Sequence, residues 1–237
     1  VTAIEGLGTS EELWRAWPAL DALPRFTFPG GPLVVVAPHP DDEVLGAGGL
    51  MALAGSVHLV AVTDGEASHP GSTVLAPREL AAVRARESEA ALDVLGVDAR
   101  VDRLGMPDGG IDEDALAAAL VERLPAGGWC AATWRGDGHP DHEAVGRAAA
   151  RACAEVGARL LEFPVWAWHW SRPDDHRVPW SAGLRVDLPP AVAEAKRRAV
   201  REFATQVEPL GPDAADAAIL PPPVLARLTR GFEVVFG

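Results

Sequence analysis

The sequence predicts an α/β domain built on a mostly parallel central sheet with helices on both faces. Three observations carry that expectation. Short apolar runs at 33–37, 57–63 and 129–133 are apolar nearly throughout, as strands buried on both faces must be. Each run is followed by a stretch with helical patterning, and strands alternating with helices imply a parallel sheet covered on both sides. Polar clusters follow the same runs, at 39–43, 63–66 and 139–142. Ligands of such sheets bind at the carboxyl ends of the strands, so three clusters point to one edge.

The elements follow in order. Thr9-Ser10-Glu11-Glu12 reads as a helix start, with Trp14, Trp17 and Leu20 at helical spacing. Residues 33–37 form the first strand, and 43–54 a helix in which Gly46, Gly48 and Gly49 permit close packing or backbone approach near the site. Residues 57–63 form the second strand. A loop carrying His69 leads to a helix over 77–95, closed by Gly96. A short third strand spans 100–104, a loop 106–110, a helix 112–124 and the fourth strand 129–133. An Ala-rich helix over 142–156 ends at Gly157. Residues 159–170 hold a fifth strand and an aromatic segment, 184–188 an edge strand, and 190–206 a helix exposing Lys196, Arg197, Arg198 and Arg201. The tail holds Pro221-Pro222-Pro223, a short helix and the run 233–236.

Composition bounds the function. The chain has 237 residues, 48% of them apolar, enough for one sizeable core. Residues 1–30 read as a lead-in, and 171–237 as an extension on the substrate side of a single domain. The net charge of -13 argues against nucleic acid or an anionic membrane as partner, since both need positive potential. Cys130 and Cys153 read as small core residues rather than a disulfide. No apolar stretch is long enough to cross a bilayer, and the basic-then-apolar pattern of a signal peptide is missing. The expectation is a cytoplasmic protein.

The clusters carry the chemistry. His39 and Asp42 share one tight turn and can bite one ion; His142 from the other cluster completes a two-nitrogen, one-oxygen set. Zn²⁺ accepts that set with a fourth position left for water, and Fe²⁺ or another divalent cation also suits it. Water on Zn²⁺ titrates near neutrality and supplies a nucleophile. Asp41 is then free to act as general base. His139 is placed to polarise a carbonyl, stabilise the oxyanion and protonate a leaving amine. Asp141 is read as orienting an imidazole, that of His139. Asp42 or Asp141 alone would also serve as a helix cap. The coincidence of two His-Pro-Asp turns at strand-to-helix junctions, in a chain with seven histidines, favours the metal site.

These residues resemble the signature of the PIG-L/LmbE family of zinc-dependent N-deacetylases. Pro38-His39-Pro40-Asp41-Asp42-Glu43 is similar to its first motif and Gly138-His139-Pro140-Asp141-His142 to its second. Thr63-Asp64-Gly65-Glu66 resembles a further segment, and the likeness covers roughly residues 33–170. The resemblance implies a Rossmann-like three-layer fold and hydrolysis of an N-acyl group, usually acetyl, from an amino sugar or related amide. It implies zinc on His39, Asp42 and His142, Asp41 as base, and His139 facing the oxyanion. It further implies that Arg84 and Asp108 hold sugar hydroxyls. One departure stands out: the chain has no Tyr. The thiol-biosynthesis branch of the family places a catalytic Tyr two residues before the second-motif histidine, where this chain has Asp137.

Other features have two readings. Trp166, Trp168 and Trp170 alternate as on an extended segment and would share a face, either stacking on a sugar or apolar aglycone or packing as a structural rim. His169 and His58 read as structural, and His69 as a loop residue within reach of substrate. Asp64 reads as a contact beside the site or as a cap. Lys196, Arg197 and Arg198 read as a solvated helix face rather than an anion site. The leading expectation is a zinc hydrolase acting on a small N-acylated glycoside. Its rivals are a metal phosphoesterase, an amidase for a thiol-conjugate amide, and a non-catalytic metal-binding protein.

Overall fold

A computed structural model describes residues 6–237; the first five residues of the expected lead-in lie outside them. In chain order the elements are α1 (Glu11–Arg15), α2 (Ala19–Ala22), β1 (Leu33–Ala37), α3 (Asp42–Ala54), β2 (Ser56–Thr63), α4 (Pro77–Leu95), β3 (Asp98–Met106), α5 (Glu113–Val121), β4 (Trp129–Thr133), α6 (Pro140–Val156), β5 (Arg159–Phe163), α7 (Ala167–Trp170), β6 (Gly183–Asp187), α8 (Pro190–Arg201), α9 (Ala204–Val207), α10 (Pro222–Leu228) and β7 (Phe232–Phe236). The strands form one seven-stranded sheet in the order β3-β2-β1-β4-β5-β7-β6. β1 to β5 run parallel, and β7 pairs antiparallel with both β5 and β6. The expected α/β class with a mostly parallel sheet is what the molecule has.

Side-chain alternation along the strands builds the two cores. Leu33, Val35, Ala37 and Leu59 pack on one face with α3, α4 and α8. Val34, Val36, Val60 and Val62 pack on the other with α5 and α6. Because both faces are covered, strands and helices form three layers. The site edge lies at the carboxyl ends of β1 and β4, which are hydrogen-bonded neighbours. The turn after β1 and the turn after β4 are therefore side by side.

Close packing fixes where the helices sit. A Cβ on Gly46 would fall inside the Phe163 ring and one on Gly49 inside the Leu188 side chain, whereas Gly48 meets only its own helix's Val44 and looser side chains. A Cβ on Gly146 would lie 2.6 Å from the Arg135 amide nitrogen and from the Thr133 carbonyl oxygen. Thr133 also donates its hydroxyl to the His142 carbonyl at 3.0 Å. α6 is thus seated on the end of β4 through Gly146. Gly146→Ala should lift it and lower stability by about 1–3 kcal/mol, a melting-point loss of several degrees in a thermal scan.

Three expectations need correction. The 166–170 segment is not extended: it forms the short α7. Trp168 is 5% exposed and packs edge-on against Trp14 at 5.0 Å and close to Trp180 at 4.8 Å, so it belongs to the core that the lead-in closes. The helix expected over 190–206 breaks at Phe203, which is fully buried and leaves helical geometry; α9 then starts afresh. Lys196 is not on a solvated face. It is 1% exposed and paired with Glu233 at 2.6 Å, because it shares the inner stripe of α8 with Ala193, Ala199 and Val200.

Candidate active site

The turn between β1 and α3 presents His39, Asp41 and Asp42, and the turn between β4 and α6 presents His139, Asp141 and His142. The first turn is strained. Asp41 has φ 142° and ψ -34°, a region that costs a non-glycine residue about 1–3 kcal/mol. Its carbonyl accepts the first helical amides of Val44 and Leu45 at 2.9 Å, and its amide donates to Glu43 Oε2 at 3.0 Å. Ser88 of α4 donates to Glu43 Oε1 at 2.6 Å. The strained turn is therefore tied to a second helix.

His39, Asp42 and His142 meet at one point. Asp42 Oδ2 lies 3.1 Å from His39 Nδ1 and 3.2 Å from His142 Nε2. Ligand atoms at the corners of a tetrahedral zinc site are roughly 3.3 Å apart, given bonds of about 2.0–2.1 Å. The outer nitrogens are held in turn. Asp137 Oδ2 accepts from His142 Nδ1 at 2.8 Å. His39 Nε2 faces Asp141 Oδ2 at 3.1 Å and Asp108 Oδ1 at 3.2 Å. This is the carboxylate–histidine support that metal-binding imidazoles use.

The donor chemistry fits a cation. With its Nδ1–H donated to Asp137, neutral His142 turns an Nε2 lone pair toward the Asp42 carboxylate, and that buried nitrogen has no hydrogen-bond partner. The pair is satisfied only by positive charge between them, a proton or a metal ion. Burial opposes charge on His142, yet the Asp42 charge beside it and the hydrogen bond to Asp137 raise its pKa to about 9. Asp42 moves the other way: burial is outweighed by His142 and His39, which hold its carboxyl far below the usual range. His39, His139 and Asp141 also lie close together, but Asp141 Oδ2 already accepts from the Gly109 amide at 2.8 Å.

The remaining groups stand around this point. Burial raises the Asp41 carboxyl to about 8 against the pull of Arg84. His139 Nδ1 accepts the Asp141 amide at 3.2 Å, which leaves Nε2 as its proton-bearing atom. Burial and the neighbouring imidazoles of His142 and His39 lower its pKa to about 4, so the ring is neutral. A cavity of about 280 Å³ is lined by His39, Asp41, Asp42, Arg84, Asp108 and His139 among others.

The structure redistributes several expected roles. The Asp141 side chain faces His39, not His139, because α6 turns its first residues toward the β1 turn. Arg84 is buried and donates to Asp41 at 3.1 Å and to the Pro40 and Gly65 carbonyls at 2.7 and 2.9 Å, so its first task is to hold Asp41; Nε alone is unpartnered. Asp108 lines the cavity while bonded to His39 and to the Ala67 amide. Asp64 is turned away, ion-paired with Arg103 on β3. Trp166 lines the cavity and Trp168 does not.

Sequence reasoning missed Asp137, Glu43 and Gln206 as site residues. Asp137 is fully buried and accepts from the Val165, Trp166 and Ala167 amides at 2.8–3.0 Å, besides His142. One carboxylate thus aims a candidate ligand and seats the turn that carries Trp166. The signals available were its place between two glycines just before His139 and its standing where the thiol-biosynthesis branch of the family has a Tyr. Asp137→Asn should halve the acceptor capacity toward that ring and turn. We expect a roughly 10–100-fold loss of metal affinity, measured by competition with a chromogenic chelator.

The family model described as PIG-L, GlcNAc-PI de-N-acetylase, matches residues 34–153. Among solved structures, the conserved protein TT1542 from Thermus thermophilus is 29% identical, with 73% of this chain and 79% of that one covered and a TM-score of 0.55. A deacetylase triple mutant of the teicoplanin biosynthetic pathway is 22% identical, with 87% and 97% covered and a TM-score of 0.63. GalB, the 4-carboxy-2-hydroxymuconate hydratase of Pseudomonas putida KT2440, is 22% identical, with 74% and 80% covered and a TM-score of 0.55. No curated protein sequence matches. The fold therefore serves more than one chemistry, and the site has to decide.

Proposed function

Because this chain belongs to the PIG-L family, we propose that it is a zinc-dependent hydrolase that removes an N-acyl group, acetyl in the simplest case, from an amino sugar or glycosylated small molecule. One observation carries the reading. The two-histidine, one-carboxylate set lies within one ion's reach at a cavity that Asp41 and His139 also line. A cation held by His39, Asp42 and His142 would supply Lewis acidity and a water acidic enough to lose its proton near neutrality.

The chain's own residues do the rest. Asp41 takes the proton of the attacking water; a cation nearby favours its carboxylate form, and Arg84 holds it in place. His139, neutral and with Nε2–H free to donate, stabilises the oxygen that becomes negative as the carbonyl carbon turns tetrahedral. Its lowered pKa suits hydrogen-bond donation better than the expected protonation of the amine. Asp41, carrying the water's proton, is the better donor to the leaving nitrogen. The C–N bond then breaks to give a carboxylate and a free amine.

A cytoplasmic setting is part of this reading. The two buried, unbridged thiols Cys130 and Cys153 fit a reducing compartment. Among the described residues no helix is long and apolar enough to cross a membrane. A small uncharged glycoside remains the partner that the acidic chain suits best.

The test is acetate release. Zinc-loaded protein should liberate acetate from a panel of N-acetylated glycosides, dialysis against a chelator should abolish this, and one equivalent of zinc should restore it. Phosphate release from phosphoesters without acetate would point to the phosphoesterase rival. Substrate consumed by water addition, with no carboxylate formed, would point to hydratase chemistry instead.

A further inference from the structure

The two side chains expected to hold sugar hydroxyls are committed within the protein. Arg84 gives its terminal nitrogens to Asp41, Pro40 and Gly65, and Asp108 is bonded to His39 and to the Ala67 amide. Gln206 is placed differently. It lines the same cavity, is 1% exposed, and stands outside the stretch that the family model matches.

The neighbours of Gln206 fix which way its amide faces. Glu87 of α4 accepts the Thr205 amide on Oε1 at 2.8 Å and the Thr205 hydroxyl on Oε2 at 2.7 Å. A hydroxyl has one proton to give, so Thr205 Oγ1 can then only accept. Gln206 Nε2 donates to that oxygen at 3.0 Å and reaches Ser68 Oγ at 3.4 Å. An amide oxygen in the same place would set lone pairs against lone pairs. Oε1 therefore points the other way. It accepts from none of the described residues, and it is not sealed inside the protein as Arg84 Nε and His69 Nε2 are. It opens on the cavity as an acceptor without a donor.

The mount is rigid. Glu87 follows Arg84 by one turn of α4, and both are buried, so one helix face holds Asp41 through Arg84 and Gln206 through Thr205. The Leu220 amide donates to the Gln206 carbonyl at 2.9 Å. A side chain held this way has given up its rotamer freedom before a substrate arrives, and less is lost when it binds. We infer that Gln206 is a specificity-determining residue: Oε1 accepts a hydrogen bond from one hydroxyl of the substrate's sugar, and Thr205, fixed by Glu87, keeps the amide turned that way. An uncharged acceptor suits an uncharged hydroxyl, since neither needs a counter-charge once water has left. The inference rests on the proposed deacylase reading and adds to it a contact supplied by the C-terminal part of the chain.

The test pairs enzyme variants with deoxygenated substrates. Methyl N-acetylglucosaminide and its 3-deoxy, 4-deoxy and 6-deoxy analogues are turned over by zinc-loaded wild type and Gln206→Met, each checked by a thermal melt. In wild type one deoxy analogue should lose roughly three- to tenfold in kcat/KM through this contact, the net worth of a neutral hydrogen bond. Gln206→Met should impose that loss on the parent glycoside and no longer distinguish it from that analogue. The other two analogues should keep their wild-type ratios to the parent. Thr205→Val should weaken the same discrimination and Thr205→Ser preserve it, a second route if Gln206→Met does not fold. A wild type that turns over all four alike overturns the inference and leaves the deacylase standing. So does a folded Gln206→Met that lowers all four by one common factor or changes none, and so does Thr205→Val with the wild-type discrimination. Titration calorimetry with the same four ligands separates binding from turnover. No acetate from any of them, with one hydroxyl still discriminated in binding by wild type and not by Gln206→Met, overturns the deacylase and leaves the contact. Neither turnover nor binding of any of the four overturns both.

Discussion

Asp41→Asn should retain its metal and lose turnover by about 10²–10⁴-fold, the range expected for removing a general base. The substitution is close to silent structurally. Asn has the shape of the Asp that already holds the strained φ of 142°, so the turn should survive, and the amide oxygen can still accept from Arg84. The ligand set is untouched, because Asp42 and the two imidazoles contact one another without Asp41. What disappears is the capacity to accept a proton from water and return it to the amine. Metal content by elemental analysis and kcat on an N-acetylated glycoside separate the outcomes. Unchanged metal with a collapsed kcat supports the role; normal turnover removes it; lost metal reassigns Asp41 as a ligand. His142→Ala is the companion variant, expected to lose both metal and activity.

How much of this was legible in the sequence depends on range. The His39/Asp42 pair sits three residues apart, and local spacing alone puts both side chains on one turn. Bringing His142 to the same point required only that 33–37 and 129–133 be adjacent strands, which their uniform apolarity and the topology of parallel sheets made readable. Roles set by tertiary packing were not readable. The sequence pairs Asp141 with His139 of its own turn, but the β1 turn brings His39 to its carboxylate. Asp137 looks like any loop aspartate until the 165–167 amides fold over it. Trp166, Trp168 and Trp170 satisfy strand alternation, and a helix of one turn is too short to show a period of its own. Lys196 was misread by residue type. Its spacing from Ala193 and Val200 places it on the buried stripe.

That lysine leads to the second large effect. Lys196 Nζ donates to Glu233 Oε1 at 2.6 Å and to the Leu45 carbonyl at 2.9 Å. Glu233 accepts the Gly49 and Leu50 amides at 2.6 and 2.9 Å. An ion pair from α8 and β7 is thus inserted beside α3, the helix that Asp42 opens. Both side chains are almost wholly buried. Lys196→Met or Glu233→Met should each cost about 3–5 kcal/mol, because a buried charge is left without its partner, and lower the melting temperature by on the order of 10 °C. The double variant Lys196→Met with Glu233→Met should be more stable than either single one. It strands no charge, and the Gly49 and Leu50 amides can turn to the Leu45 and Gly46 carbonyls of their own helix, the i to i−4 partners. Thermal and urea melts of the four proteins form the cycle. If the double variant instead loses the sum of the two single losses, the pair contributes nothing as a pair, and α3 depends on each side chain through its own contacts with the helix backbone.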